Sequence, residues 1–298
     1  MKISLKSILL ILLLVPALTS CIRDEIEDCP PLQVNIAVKD KNYFNVDKVD
    51  MKERHSEDLA FREYVPTLFY MLRDVKTGEV MEEHGVFRVE GEAKTMKVDF
   101  CPCLPHGTYV LTVWGGMKDM TSLSEDRTAL ALHPENVGGD DIYLVNDTLV
   151  YDAYRYDYTV KMERTKGKLI VEAEGLPQDI GQMTTDVDGL FGKVSSDFIY
   201  SGETHVSNTS AVTANQKVRM SSIMAPSVGS GTSLVDVSFT RKDGASDMLL
   251  PKPADVKINM ERNRITMLKY VFNPDADKFT IYIKVNDNWE EIHGMILD

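Results

Sequence analysis

Leu32-Gln33-Val34-Asn35-Ile36-Ala37-Val38-Lys39 carries an apolar side chain at every second position up to Val38. In a strand, successive side chains point to opposite faces, so Leu32, Val34, Ile36 and Val38 would line one side. In a helix the same four residues would scatter around the axis. The same period recurs along the chain. Leu68, Tyr70 and Leu72 alternate, as do Met96, Val98 and Phe100. Tyr109, Leu111 and Val113 share a face, with Val110 and Trp114 on the other. Tyr156, Tyr158, Val160 and Met162 are interleaved with Asp157, Thr159, Lys161 and Glu163. Each stretch predicts a strand with one buried face. Turn-forming residues separate them at 76–79, 105–107 and 138–141.

The C-terminal half repeats this style. Leu169, Val171 and Ala173 share a face, and Val235, Val237 and Phe239 follow. Phe279, Ile281, Ile283 and Val285 alternate with Thr280, Tyr282 and Lys284, the most regular strand pattern of all. Residues 201–222, rich in Ser, Thr and Asn, read as long hairpin strands or a loop. One short helix is expected near residues 51–64, where Leu59, Ala60 and Tyr64 could share a face. Many short alternating strands with frequent turns predict an all-β chain of antiparallel sandwiches. At roughly 150 residues per domain, 298 residues suggest two. The basic turn Arg164-Thr165-Lys166-Gly167 sets the expected division, giving sandwiches over 29–164 and 165–298.

Hydrophobic residues make up 43% of the chain, enough for substantial cores, and the formal charge is -13. An acidic chain is a poor match for nucleic acid, whose binding rests on a basic surface. Before the first strand the sequence changes character. Lys2 and Lys6 precede the apolar run of residues 8–15, Pro16 breaks it, and small residues lead to Cys21. This is the layout of a signal peptide over 1–20. The run is far short of the roughly 20 residues that span a bilayer. Leu18-Thr19-Ser20-Cys21 resembles a bacterial lipobox, which implies cleavage before Cys21 and a diacylglycerol on its thiol. Residues 21–28, with Asp24, Glu25, Glu27 and Asp28, then form an acidic tether, similar to the surface-export signal of Bacteroidetes lipoproteins.

With Cys21 lipidated, Cys29, Cys101 and Cys103 remain, in an oxidising compartment. Cys101-Pro102-Cys103 misses the redox Cys-x-x-Cys spacing and supplies too few ligands for zinc. One bridge from Cys29 to either Cys101 or Cys103 is expected, with the third thiol free; the alternative is three buried or reduced cysteines. Catalytic motifs are missing: there is no His-Glu-x-x-His and no Gly-x-Ser-x-Gly. Residues 227–231 are glycine-rich but lack the Lys and Ser/Thr of a phosphate loop, and read as a turn. Asp186-Val187-Asp188-Gly189 fails the calcium-loop spacing, and Asp275 with Asp277 is thinner still. His106 reads as a solvated turn residue. No enzyme, cofactor, metal or small-molecule substrate is expected.

Several stretches carry a family resemblance. Leu104-Pro105-His106-Gly107-Thr108-Tyr109 resembles the strand start of transthyretin-like sandwiches, where the tyrosine packs and the turn sets register. Asp147-Thr148-Leu149 resembles the O-glycosylation acceptor of exported Bacteroidetes proteins, making Thr148 a candidate. The lipobox, the segment from Cys21 to Val34, the segment from Phe100 to Gly116, residues 146–151 and residues 164–169 together resemble the FimB/Mfa family of Bacteroidetes fimbrial anchor lipoproteins. The resemblance is strongest over residues 18–175. It implies two tandem transthyretin-like sandwiches, a lipid anchor in the outer membrane, and attachment of a fimbrial shaft, with control of fimbrial length in some members. It also implies a shaft-subunit partner joined by strand complementation, in which one subunit's strand fills a groove in the next. Shaft subunits lose an equivalent first strand by proteolysis. Here residues 32–38 are expected to stay, since their loss would cut off the lipid. The rival expectation is a glycan-binding surface lipoprotein, which needs a platform of exposed aromatics; Trp114 reads as buried and Trp289 lies in the other half.

Overall fold

The alternating stretch at residue 32 folds as β1 (Gln33–Val38), with Leu32, Val34 and Ile36 fully buried. The computed structural model describes residues 30–213, 215–228, 233–242 and 250–292. After β1 come β2 (Thr67–Asp74), β3 (Val80–Arg88), β4 (Met96–Asp99), β5 (Gly107–Gly115), β6 (Ala129–Ala131), β7 (Tyr143–Tyr151) and β8 (Asp157–Arg164). All but β6 form one seven-stranded sheet in the order β3-β2-β5-β7-β8-β1-β4. The sheet curls on itself: Tyr70 of β2 meets Phe100, just beyond β4, edge-on at 5.7 Å. The enclosed core holds Val34, Ile36, Leu68, Leu72, Val98, Tyr109, Leu111, Val113 and Met162. These are the residues that the period-two reading places on inward faces.

The second half contributes β9 (Gly167–Glu174), β10 (Ile180–Ser195), β11 (Tyr200–Ala211), β12 (Val218–Met224), β13 (Ser233–Arg241), β14 (Val256–Ile258), β15 (Ile265–Asn273), β16 (Lys278–Val285) and β17 (Asn288–Glu291). They form two sheets, β11-β10-β13-β14 and β12-β9-β15-β16-β17, whose facing side chains build a shared core. The plan of the first half recurs. β1 lies between β4, antiparallel, and β8, parallel. β9 likewise lies between β12, antiparallel, and β15, parallel. Residues 201–222 resolve into the strand alternative, supplying most of β11 and the start of β12.

Three features depart from the sequence reading. The helix expected at 51–64 is replaced by single turns, Val46–Val49, Met51–Glu53 and Phe61–Tyr64. The Asp50 side chain accepts from the Lys52 amide and so caps a tight 3-10 turn that does not propagate. The strands of the first sheet are also buried on more than one face. In β2, Leu68, Tyr70 and Leu72 enter the first core while Phe69 and Met71 enter the second. Trp114, Leu144 and Ile142 join that second core, and β6 leaves the first half to pair with β10. The two halves therefore share apolar packing and are not independent beads. Finally, the basic turn that sets the expected division is buried, at Arg164, Thr165 and Lys166 alike. Gly167 is required there, since a Cβ would lie 2.2 Å from the Glu261 carbonyl oxygen.

Candidate functional surfaces

The first strand is held on both sides. Six register pairs join β1 to β8, from Gln33 opposite Asp157 to Val38 opposite Met162, and four join it to β4. The Gln33 amide donates to the Tyr156 carbonyl, Phe100 donates back to Leu32, and Lys39 donates to Met162. With both ladders satisfied and its inner face in the core, β1 cannot leave without opening the sheet. No groove lies open where it sits.

Among the described residues, free edges lie elsewhere. β3 and β4 end the first sheet, β11 and β14 the second, β12 and β17 the third. Such edges present unpaired backbone groups to an incoming strand. β11 is the longest, at 12 residues, but the 133–138 loop covers part of it: the Ser207 amide donates to the Asn136 carbonyl.

The junction between the halves is built from charge. Arg164 donates through Nε to both Asp141 carboxylate oxygens at 2.9 Å, and through Nη1 to Asn263 Oδ1 at 2.6 Å. Its guanidinium stacks 4.1 Å from the Tyr43 ring and also donates to Tyr143 Oη. Burial alone would favour the neutral form, but the Asp141 carboxylate outweighs it and holds Arg164 firmly protonated. Burial, with Asp141 nearby, raises the Tyr43 and Tyr143 hydroxyls above their ordinary values. Lys166, 1% exposed, donates to the Leu132 carbonyl at 2.6 Å, and burial pulls its ammonium down to about 8. His133 bridges the same region: Nδ1 contacts the Val137 carbonyl at 2.9 Å, and Nε2 accepts from the Ala225 amide at 3.0 Å. That pattern needs neutral imidazole with the proton on Nδ1. Burial, aided by Lys166, depresses its pKa to about 3.

A strap from the first half completes the junction. Tyr43, Val46 and Val49 pack against Ile170, Ile265 and Met267 of the second. Glu53 pairs with Lys168 at 2.6 Å, and Arg219 reaches Glu53, Glu172 and Asp50. Burial would raise the Glu53 pKa, but these cations lower it below the usual range. The strap and the shared core fix one half against the other.

The residues singled out in the sequence fall in different places. Cys21, Cys29, the signal peptide and the tether lie outside the described residues. Cys101 and Cys103 are bridged to each other, with Cα atoms 5.2 Å apart. The Cys101–Leu104 turn brings the two sulfurs together locally and differs from the expected link to Cys29, which lies outside the described residues. Thr148 is exposed near the middle of β7, while Leu149 beside it is buried. His106 is exposed and touches the Tyr151 ring edge-on at 5.1 Å. Asp186 and Asp188 lie in β10 beside a bulge, and Asp275 and Asp277 in the β15–β16 turn. No group of three or more metal-ligating side chains occurs among the described residues. The junction cluster went unread in the sequence. Its one signal was the pair Arg164 and Lys166, which read as a basic turn at the division between the halves.

No family model matches the sequence, and no curated protein does. Solved structures do. The fimbrial anchor protein Mfa2 of Porphyromonas gingivalis superposes with a TM-score of 0.52 at 15% identity, over 88% of this chain and 99% of that one. A candidate adhesin from Bacteroides thetaiotaomicron gives 0.57 at 15% identity, over 89% and 99%. A candidate polysaccharide-binding protein of the same organism gives 0.56 at 14%, over 88% and 98%. These likenesses establish a common fold across nearly the whole of each chain. They agree with the family resemblance carried by residues 18–175.

Proposed function

We propose that this chain is a lipid-anchored subunit that holds a fimbrial shaft to the outer membrane. The observation that carries the reading is β1. It follows the candidate lipid attachment at Cys21 and is clasped between β4 and β8 with Val34, Ile36 and Val38 buried. A strand in that position joins the lipid to the whole first sheet. A subunit that keeps it offers no groove there and so ends a chain of strand exchange. The shaft partner then docks elsewhere, on an open edge, with main-chain hydrogen bonds supplying the grip. The role is mechanical and not catalytic. Residues 30–164 and 165–292 act as a proximal and a distal sandwich, and Thr148 is an accessible site for O-glycosylation.

The glycan-binding alternative finds little support. Trp114 is fully buried, Trp289 lies between Lys269 and Lys284, and exposed Phe44 and Tyr154 sit far apart along the chain. Comparing a deletion strain with its parent tests the proposal. Shed fimbriae should accumulate in the medium of the mutant, and re-expression should reattach them. Firmly attached fimbriae in the deletion strain would refute the anchoring role. Loss of glycan uptake with attached fimbriae would favour the alternative.

A further inference from the structure

We infer that the end of the first sheet at which β1 begins is a foot that rests on the phospholipid surface. The inference builds on the lipid-anchoring reading above and adds an orientation and a contact surface to it. Register places three loops at this end. Gln33 opens β1 opposite Asp99 and Asp157; Asp74 closes β2 opposite Tyr109; Gly107 opens β5 opposite Tyr151. The turns at 75–78, 101–106 and 152–155 therefore project beside Pro30, whose carbonyl accepts from Tyr151 Oη at 3.0 Å. Eight residues separate Pro30 from Cys21. At 3.3–3.6 Å per residue, the foot lies within about 30 Å of the lipidated Cα.

The tips suit a lipid headgroup layer. Of the 46 carboxylates in the chain, only Asp152 lies within the three turns, at the base of its own, while exposed Glu79, Asp99 and Asp157 flank them. They expose Val75, Pro102, Pro105 and, at 92%, Tyr154, with Lys76 beside them. Tyrosine is favoured at the membrane interface because its ring enters the apolar boundary while its hydroxyl stays wet. A lysine on another turn of the same end attracts lipid phosphate. The tips are also stiff. Asp74 accepts from the Lys76 and Thr77 amides at 2.7 and 2.8 Å. Asp152 accepts from the Tyr154 and Arg155 amides, both at 2.9 Å. The third loop is closed by the Cys101–Cys103 bridge and by Tyr109 Oη donating to the Pro105 carbonyl. An acid thus stands behind each of two turns, and the side chains at the turn tips are apolar, neutral polar or basic. The junction and the second half lie at the opposite end of β1, away from the membrane.

The test uses the full lipidated chain in phosphatidylethanolamine vesicles containing brominated phospholipid, which quenches indole fluorescence at close range. Tyr154→Trp places an indole on the foot. Phe44→Trp places one at the junction end, where Phe44 is 78% exposed and its amide donates to Asn263. Trp114 and Trp289 form the background, read from the unaltered protein. The emission added by Tyr154→Trp should shift to shorter wavelength and lose most of its intensity, while that of Phe44→Trp stays unchanged. Matching thermal unfolding establishes that both exposed variants fold. Protein that floats with the vesicles but shows no quenching at position 154 overturns the foot and leaves the anchor standing. Equal quenching at both positions means the chain lies flat, and also overturns it. Protein that fails to float overturns the anchoring reading and the foot together.

Discussion

Val34→Asp is the sharpest probe of the first strand. Val34 is fully buried, with Val98 and Tyr158 as its ladder neighbours. Removing its side chain from the core forfeits about 1.5–3 kcal/mol of apolar burial. The carboxylate must then ionise among apolar groups or stay neutral. Staying neutral at pH 7 means lifting its pKa by about 3 units, a cost of about 4 kcal/mol. Together these approach about 6 kcal/mol, comparable with the whole stability of about 5–15 kcal/mol typical of a domain. Val34→Ala, which only opens a cavity, should cost about 2 kcal/mol. Asn35→Ser points to the other face and loses one exposed hydrogen bond to Asp157, so about 0.5 kcal/mol is expected. Guanidinium unfolding of the three purified full-length variants gives this ranking directly. In cells, Val34→Asp should release assembled shafts into the medium while Asn35→Ser retains them. A Val34→Asp protein no less stable than Asn35→Ser would show that β1 is not seated in the core.

The junction predicts a pH dependence. The folded pKa of His133 is about 3 against 6.5 unfolded, so below pH 6.5 the unfolded chain binds more protons. Stability should fall by about 3 kcal/mol between pH 7 and 4 and continue falling toward pH 3, and His133→Gln should flatten the slope; acid-independent melting would contradict this. Lys166 works at the other extreme: its folded pKa is about 8, so below that pH its burial costs about 3 kcal/mol, relieved as pH rises through 8 to about 10. Lys166→Met should raise stability at pH 7 by about 1–3 kcal/mol, and a loss would show that the Leu132 contact outweighs desolvation. Non-reducing peptide mapping should find Cys101 and Cys103 joined within one peptide; a peptide crosslinked to Cys29 would restore the longer bridge. Thr148→Ala should remove a glycan mass from the secreted protein with melting changed by less than about 0.5 kcal/mol, and an unchanged mass would exclude the site.

Strands were legible wherever one face meets water. β1 and β8 read correctly because Asn35, Thr159 and Lys161 had to stay at least partly wet while Ile36, Val160 and Met162 could not. β2 misled because both its faces are covered. Leu68-Phe69-Tyr70-Met71-Leu72 is apolar without a break, the mark of a strand between two cores. Reading only its even positions hid the packing of one half on the other. Arg164 and Lys166 misled for a related reason. Charged residues are read as solvated unless a partner is in view, and Asp141, Asn263 and the Leu132 carbonyl come from distant segments. Compartment and cysteine count suggest that thiols pair, not which, and in the structure the local turn joins Cys101 to Cys103. The candidate anchoring strand was thus visible in sequence, while what fixes the second half upon the first was not.

The parallel pairing of β1 with β8 has a mechanical consequence for an anchored filament. If the chain is anchored through Cys21 as proposed, the membrane pulls on it at the Gln33 end of β1. A filament docked on an edge of the second half would pull from the Arg164 end of β8, where the chain crosses to that half. Those two points lie at opposite ends of strands that run side by side in one direction. Drag therefore acts along the strands and strains the ladder bonds of all six register pairs at once. In an antiparallel hairpin pulled at its open end, the bonds would break in succession, each needing little force. Here they must yield together, so the fold is stiffest along the axis on which flow would tug.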